Sequence, residues 1–206
     1  MARSPFLLDA RGAPINRRVS PTKELGSAGF AAFGGRIIER ERARDLIGQE
    51  KWRVFSEMLA NTAIVAAGTR MFLDLVATGK WTVEPHADDA AGIDSEVVAL
   101  IHRAMQEMRT SWARVVRRSA LYRFYGFTVQ EWTAKRVSDG TILIDDIEVR
   151  PSFTIERWDI DERGSVLGLW QRSPQTRQEI YLPRRKLIYL VDDTFTDSPM
   201  GMGLLR

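Results

Sequence analysis

The chain has 206 residues, of which 44% are hydrophobic and 28% charged, as is ordinary for a globular protein. It contains no cysteine, which excludes disulfides, thiolate metal sites and cysteine nucleophiles. The net charge is only +3 at neutral pH, and the most apolar segment, residues 63–77, is interrupted by Arg70 and Asp74, so we expect no membrane-spanning segment.

The charges are distributed unevenly along the chain. Residues 1–53 carry eleven basic and six acidic side chains, whereas residues 54–102 carry two basic and seven acidic ones. Residues 103–150 are basic again, with nine against six, and residues 151–206 carry eight of each sign. The folded chain is therefore expected to present surfaces of opposite sign.

Residues 1–35 are predicted to form an N-terminal arm. Glycines and prolines interrupt this segment, and no hydrophobic periodicity continues beyond a few residues. With so few apolar residues, we expect the arm to be disordered or ordered only against another chain. The charges from Arg36 to Arg53 alternate in sign, which is typical of a solvated helix.

Two long helices are predicted next. The first covers about residues 52–78, largely buried and with a break near Gly68, and a short strand at Trp81–Pro85 follows it. The second covers about residues 95–124 and has the strongest helical periodicity in the chain. Its side chains predicted to be buried are Val97, Ile101, Met105, Met108, Trp112 and Val115.

After Gly126 the apolar residues alternate with a period of two, which is typical of β-strands. Residues 127–149 are predicted to form an antiparallel hairpin that turns at Asp139 and Gly140. Its first strand should have Val129 and Glu131 on one face and Thr128, Gln130 and Trp132 on the other. Further strands are expected at residues 153–158, 166–171, 178–182 and 186–191. The predicted fold class is α+β, with long N-terminal helices packed on an antiparallel β-sheet made from about residues 127–191.

The histidines and loop carboxylates do not form a convincing metal site. His86 lies near Asp88 and Asp89, but a loop provides no scaffold to fix the geometry of a metal ion. An exposed loop is the simpler interpretation, and His102 is expected in solvent at the edge of the second helix. We predict no metal and no cofactor.

Three carboxylates near the end of the predicted hairpin suggest acid–base or two-metal chemistry at first sight. On a strand, however, Asp145 and Asp146 point to opposite faces, and only Asp146 and Glu148 share one. Their alternation with apolar residues indicates the solvated face of a sheet. With no nucleophile motif in the chain either, no catalytic residue is predicted.

Two groups of basic residues are candidate contacts for DNA or for a partner protein. One is an arginine stripe on the polar face of the second helix, and the other is a turn before the last strand. Glu107 lies within the stripe, and a solvated face is the commoner explanation of such charges. The candidates are Arg103, Arg114, Arg117, Arg118, Arg184, Arg185 and Lys186.

Six fragments of the chain, in this order, together resemble the front half of a tailed-phage portal protein, most closely the portals of Mu-like phages. The most specific is Tyr-Gly-Phe-x-x-x-Glu-Trp, which follows a long helix. The fragments are Trp81–Pro85, Tyr125–Trp132, Val149–Phe153, Leu182–Ile188, Asp197–Gly201 and Gly203–Arg206.

The resemblance covers about residues 50–206 and implies that residues 36–206 form a wing-like portal domain. It implies a dodecameric ring of this chain at the portal vertex of the virion, assembled in the host cytoplasm. Its partners would be terminase, capsid and head–tail adaptor proteins, with double-stranded DNA passing through the ring and no enzymatic activity in the portal itself. The family's stem and clip regions follow the position of Arg206, so we expect them to be absent here. Gly201 and Gly203 are then predicted to form a flexible exit towards a helix.

Two other functions remain open from the residues. The chain could be a small standalone nucleic-acid-binding protein that uses the arginine stripe and the basic arm. An enzyme of unrecognised type is the third alternative, which the absence of a catalytic constellation disfavours. The salt dependence of DNA binding distinguishes the nucleic-acid-binding protein from the portal protein, since affinity for phosphates falls steeply as the salt concentration rises.

Overall fold

Helices precede the main sheets in the computed structural model, which describes residues 29–39, 41–85, 93–192 and 197–206. The predicted α+β fold class is confirmed. The helices are α1 (Glu50–Asn61), α2 (Ala63–Ala77), α3 (Ile93–Glu107), α4 (Trp112–Ser119) and the single turn α5 (Tyr122–Tyr125). Short 3-10 turns lie at Arg44–Leu46, Ser152–Thr154 and Arg184–Lys186.

The strands form three small antiparallel sheets within these ranges. They are β1 (Ala32–Phe33), β2 (Arg36–Ile37), β3 (Phe127–Arg136), β4 (Ile142–Arg150), β5 (Ile155–Ile160), β6 (Val166–Arg172), β7 (Glu179–Pro183) and β8 (Leu187–Val191). Strands β1 and β2 pair alone, β5, β6 and β7 form the second sheet, and β8 returns to pair with β3 in the order β4-β3-β8. The single sheet expected from the sequence is thus divided into two main sheets.

The β3–β4 hairpin is confirmed with its predicted turn. The Val137 amide donates to the Thr141 carbonyl across the turn at 2.9 Å, and Gly140 lies outside both strands. A bulge interrupts the pairing after Thr133, because Thr133 pairs with Asp146 whereas the next residue pairs with Ile144. Asp145 is the extra residue at this bulge.

An aromatic cluster joins the helices to both main sheets. The ring of Phe127 on β3 lies 5.5 Å from that of Trp52 on α1 and 5.2 Å from that of Trp158 on β5. All three are at least 95% buried. A smaller core of Met108, Val115 and neighbouring apolar side chains packs the α3–α4 region on β4.

The first predicted helix is in fact two helices, and the prediction that it is largely buried is wrong. Thr62 has extended backbone angles between α1 and α2, which meet at 90°. Asn61 and Thr62 disfavour helix interiors because their side chains compete for backbone hydrogen bonds. Gly68, where the break was expected, lies inside α2, and Ile64 is 82% exposed.

The second predicted helix is also interrupted, at residues 108–111. The Arg109 amide donates to the Asp145 carbonyl at 3.0 Å, and Ser111, with extended backbone angles, precedes the first residue of α4. Met108 at the start of the break and Val115 on α4 are buried in the same core, so the apolar periodicity continues across the break. At the other end of this region, Val97 and Ile101 are 47% and 37% exposed, contrary to the predicted burial.

Three smaller expectations are also corrected. Residues 81–85 form no strand. Residues 29–35 of the predicted arm lead into and form part of the β1–β2 hairpin. The Gly35 carbonyl of this hairpin accepts a hydrogen bond from the Trp158 amide at 2.7 Å. The solvated helix expected over residues 36–53 is instead strand β2, a 3-10 turn and the start of α1. Residues 1–28 of the arm lie outside the described residues.

No single helix in the described ranges is long and apolar enough to cross a membrane. Helices α1 and α2 meet the criteria of length and composition only as a pair, bent by 90°.

Candidate functional site

The arginines of the predicted stripe lie on two helices and are mostly engaged in ion pairs. Arg103 on α3 contacts Glu107 at 2.8 Å and Asp139 of the hairpin turn at 2.7 Å. The hydrogen bond from Arg103 is the main reason why the pKa of the Asp139 carboxyl is lowered to about 2, and hydrogen bonding with Thr141 adds to it. This arginine therefore fixes the hairpin turn to α3.

The three arginines of α4 differ in their partners. Arg117 contacts Asp74 of α2 at 3.0 Å, and Arg118 contacts Glu148 of β4 at 3.0 Å. Arg114 is exposed and forms no ion pair within the described part of the chain. The stripe thus ties α4 to its neighbours, and among the described residues it leaves the Arg114 guanidinium without an ion pair.

The basic turn Arg184–Lys186 packs on aromatic rings. The Lys186 ammonium lies 5.1 Å from the centre of the Trp132 ring, whose indole N–H donates to the Arg185 carbonyl at 2.9 Å. The Arg184 guanidinium lies 5.6 Å from the Tyr189 ring and donates to the Leu187 carbonyl. Among the described residues, no hydrogen bond or ion pair connects this turn with the arginines of α3 and α4.

The acidic residues of β4 are half-buried and bound to side chains of the same chain, so they are less solvated than the sequence predicted. Asp145 forms an ion pair with Arg109, which lowers the pKa of the Asp145 carboxyl chiefly through the hydrogen bond between them. Asp146 and Glu148 share a face as predicted, and Thr110 donates to both, each at 3.3 Å. These carboxylates anchor the α3–α4 connection to the sheet.

Of the two histidines, only His102 lies in the described part of the chain. The His102 imidazole lies 3.2 Å from the Val83 carbonyl and is partly buried, so it is not simply in solvent as predicted. His86, Asp88 and Asp89 lie outside the described residues. Among the residues that the structure does describe, no three His, Cys, Asp or Glu side chains are grouped so that they could hold a metal ion.

The closing segment, residues 197–206, packs against the start of β3 and the turn before it. The Leu204 amide donates to the Arg123 carbonyl at 2.8 Å, and the Leu205 amide donates to the Phe124 carbonyl at 3.3 Å. Leu205 is 93% buried in the main core. The prediction of a flexible exit at Gly201 and Gly203 is therefore wrong in this structure.

Close backbone contact explains why glycine occupies positions 126 and 203, where the closing segment meets the start of β3. A Cβ atom at Gly203 would overlap the carbonyl oxygen of Phe124, and one at Gly126 would overlap that of Met200. Gly126 also has a φ of +95°, which side chains other than glycine rarely adopt. Two of the fragments quoted above, Tyr125–Trp132 and Gly203–Arg206, thus lie against each other in the fold.

Charged side chains hold the edges of the same region. Arg123 donates to Asp192, which is 5% exposed, at 2.8 Å. Arg206 donates to Glu41 at 2.6 Å, and this hydrogen bond is the main reason why the pKa of Glu41 is lowered. The closing segment is thereby tied to the polypeptide that precedes α1.

A buried ion pair lies beside this contact. The Lys51 ammonium donates to Glu39 at 2.7 Å, with the two side chains 6% and 8% exposed. Burial lowers the pKa of Lys51, while the hydrogen bond that its ammonium donates to Glu39 opposes that shift. Sequence spacing gave no signal for this pair, since its partners come from an irregular segment and from the first turn of α1.

The model of one protein family, described as the portal protein of Mu bacteriophage, matches residues 52–206. The chain belongs to this family. The match confirms the resemblance inferred from the six fragments, and it makes the chain a phage portal protein. No curated protein matches the chain.

The portal family match begins at Trp52, inside α1. The described residues before it, 29–39 and 41–51, nevertheless pack on the matched part through the Lys51–Glu39 pair, the Arg206–Glu41 pair and the β1–β2 hairpin. The described residues before Trp52 thus form a layer that packs on the part of the chain that the family model matches.

Proposed function

We propose that the chain is the subunit of a dodecameric portal ring at one vertex of a phage capsid, through which double-stranded DNA is packaged and later ejected. The observation that carries this proposal is the match to the portal family over residues 52–206. The role is structural: the ring joins terminase, capsid and head–tail adaptor proteins, and the chain itself catalyses no reaction. Its place is the portal vertex of the virion, after assembly in the host cytoplasm.

The arrangement of the basic residues supports a structural role over sequence-independent DNA binding by the isolated chain. Such binding is driven by phosphates that meet free lysine and arginine side chains. Arg103, Arg117 and Arg118 are already paired with carboxylates of the same chain. We therefore favour the portal over the alternative of a standalone nucleic-acid-binding protein.

Deletion of the gene from the phage or prophage that encodes it tests the portal function. Without the chain, particles should contain no packaged DNA, and a plasmid copy should restore DNA-filled heads. A matched comparison uses a plasmid copy with the single substitution Gly140→Asn, which keeps a residue suited to the hairpin turn and should also restore packaging. DNA-filled heads assembled in the absence of the chain would contradict the proposal.

DNA binding by the purified chain tests the alternative. We expect little affinity for duplex DNA at low salt, because most of the arginine stripe is internally paired. A tight complex whose affinity falls steeply between about 50 mM and 200 mM salt would favour a nucleic-acid-binding protein instead. Arg114→Gln, which removes the free guanidinium of the stripe, would then weaken that complex.

A further inference from the structure

Helix α2 is apolar on two opposite faces. One face packs on the core, where Thr69 and Leu73 are buried. The opposite face, called here the outer face of α2, consists of Ile64, Met71 and Leu75, which are 82%, 67% and 63% exposed. Large apolar side chains that are exposed together on one helix face mark interaction surfaces, so another molecule is expected to cover this face.

The spacing along the outer face is suited to a helical partner. Ile64, Gly68, Met71 and Leu75 follow one another at intervals of four, three and four residues, as in the a and d positions of a coiled coil. A Cβ atom built at Gly68 meets nothing within 4 Å. This leaves room for a side chain of the partner helix between Ile64 and Met71.

Helix α3 has the complementary surface. Apart from α2, it is the only α-helix in the described ranges in which large apolar side chains are more than a third exposed. These are Val97, Leu100 and Ile101, at 47%, 40% and 37%. These three residues are called here the α3 row. They lie on two successive turns of the helix, as a helix-packing surface requires.

The free charges beside the two surfaces have opposite signs. Arg70 on α2 is exposed and has no ion pair among the described residues. Glu96, next to the α3 row, is exposed and unpaired within the same residues. An approach of α2 to α3 can therefore add an ion pair at the edge of an apolar contact.

We propose that the outer face of α2 in one subunit packs against the α3 row of a second copy of this chain. The proposal rests on the proposed portal ring, because subunits of a ring meet head to tail through two different surfaces. Packing α2 against the same helix of a copy would instead give a closed two-fold dimer. The six side chains are few compared with the roughly 20–30 residues a side of a standard interface. This contact alone should therefore hold subunits only weakly.

Cysteine cross-linking tests the pairing directly, since the natural chain has no cysteine. The double variant Met71→Cys/Leu100→Cys of the full chain is oxidised at several concentrations and separated without reductant. We expect a ladder of dimers, trimers and larger species. The two single variants should not cross-link alone, but mixed together they should give a disulfide dimer that contains one of each.

The control replaces Leu100→Cys by Ile180→Cys, a substitution of an apolar residue on β7 with a similar exposure of 46%. This control pair should give no ladder. Efficient cross-linking of Met71→Cys with itself would overturn the proposal in favour of a two-fold contact between α2 helices. Absence of the 71–100 disulfide would overturn it as well, whether the chain associates in another way or stays monomeric. The gene deletion described above is independent of this contact, so failure here leaves the portal function to be judged separately.

Discussion

At the scale of single residues, Gly126 and Gly203 decide where the closing segment can lie. Each allows a backbone carbonyl to approach the position that a Cβ atom would occupy. This contact places Leu205 in the main core and brings Arg206 to Glu41. The glycines therefore convert a loop-like sequence into a fixed part of the domain.

Gly203→Ala should destabilise the chain by about 1–3 kcal/mol, because the added methyl group must displace either Phe124 or the closing segment. Thermal or urea unfolding of dilute protein measures the effect. Gly68→Ala is the matched control: it lies inside α2 with open space around its Cβ position. That change should be neutral or stabilising by about 0.5–1 kcal/mol, since alanine is more favourable than glycine inside a helix. Equal effects of both substitutions would contradict the close-contact explanation.

The ion pair between Arg103 and Asp139 predicts a specific pH dependence. Because the pKa of Asp139 in the folded chain is about 2, below the ordinary value of 3.8, the pair stabilises the fold at neutral pH. That contribution is lost as the pH falls from about 4 towards 2. Carboxyl-carbon NMR should give a pKa of about 2 for Asp139, and Arg103→Gln should return it towards 3.8. An unchanged pKa in this variant would show that the arginine is not the cause.

At the scale of elements, the aromatic cluster of Trp52, Phe127 and Trp158 joins α1, β3 and β5. These elements belong to the helical layer and to both main sheets. Loss of the central ring should therefore weaken all three connections together. Phe127 is the central member and is only 1% exposed.

Phe127→Ala should lower the free energy of unfolding by about 3–5 kcal/mol, the usual cost of removing a buried phenylalanine. The same substitution at Phe153, which is 54% exposed, should change it by no more than about 0.5 kcal/mol. Denaturant titration followed by tryptophan fluorescence is the measurement. A similar loss at both positions would show that the cluster is not what joins the layers.

The sequence predicted the sheets better than the helices. Hairpin β3–β4 has a strong local signal, because Asp139 and Gly140 favour a tight turn between two alternating strands. The break between α3 and α4 has only Ser111 as a local signal, while the apolar periodicity continues from Met108 to Val115. Its cause is tertiary: residues 109–110 bind carboxylate and carbonyl groups of β4.

Most of the site contacts could not be predicted for a related reason. The arginine stripe was placed on one helix from its spacing, but the partners Asp74, Asp139 and Glu148 are distant in sequence. The Gly203 contact depends on how two segments pack in the folded chain. Hydrophobic periodicity within each segment carries no information about that packing. The family resemblance succeeded because it used the order of several fragments rather than one contact.

At the scale of the whole molecule, the segment before the portal match is attached by a buried ion pair. Glu39→Gln should destabilise the chain by about 3–5 kcal/mol, because it leaves the Lys51 charge buried without its partner. Glu50→Gln is the control, since its pair with Arg53 is about half exposed and screened by solvent, so its loss should have a much smaller effect. Chemical denaturation compares the two variants. A small effect of Glu39→Gln would mean that water or another group reaches Lys51.

The ring is the central claim about the whole molecule. An asymmetric cryo-electron microscopy reconstruction of particles of the phage that encodes the chain tests it most directly. We predict a closed ring at one vertex in which every subunit contains the α1–α5 and β1–β8 fold described above. A vertex ring built entirely from another protein, with this chain absent from the particle, would contradict the account.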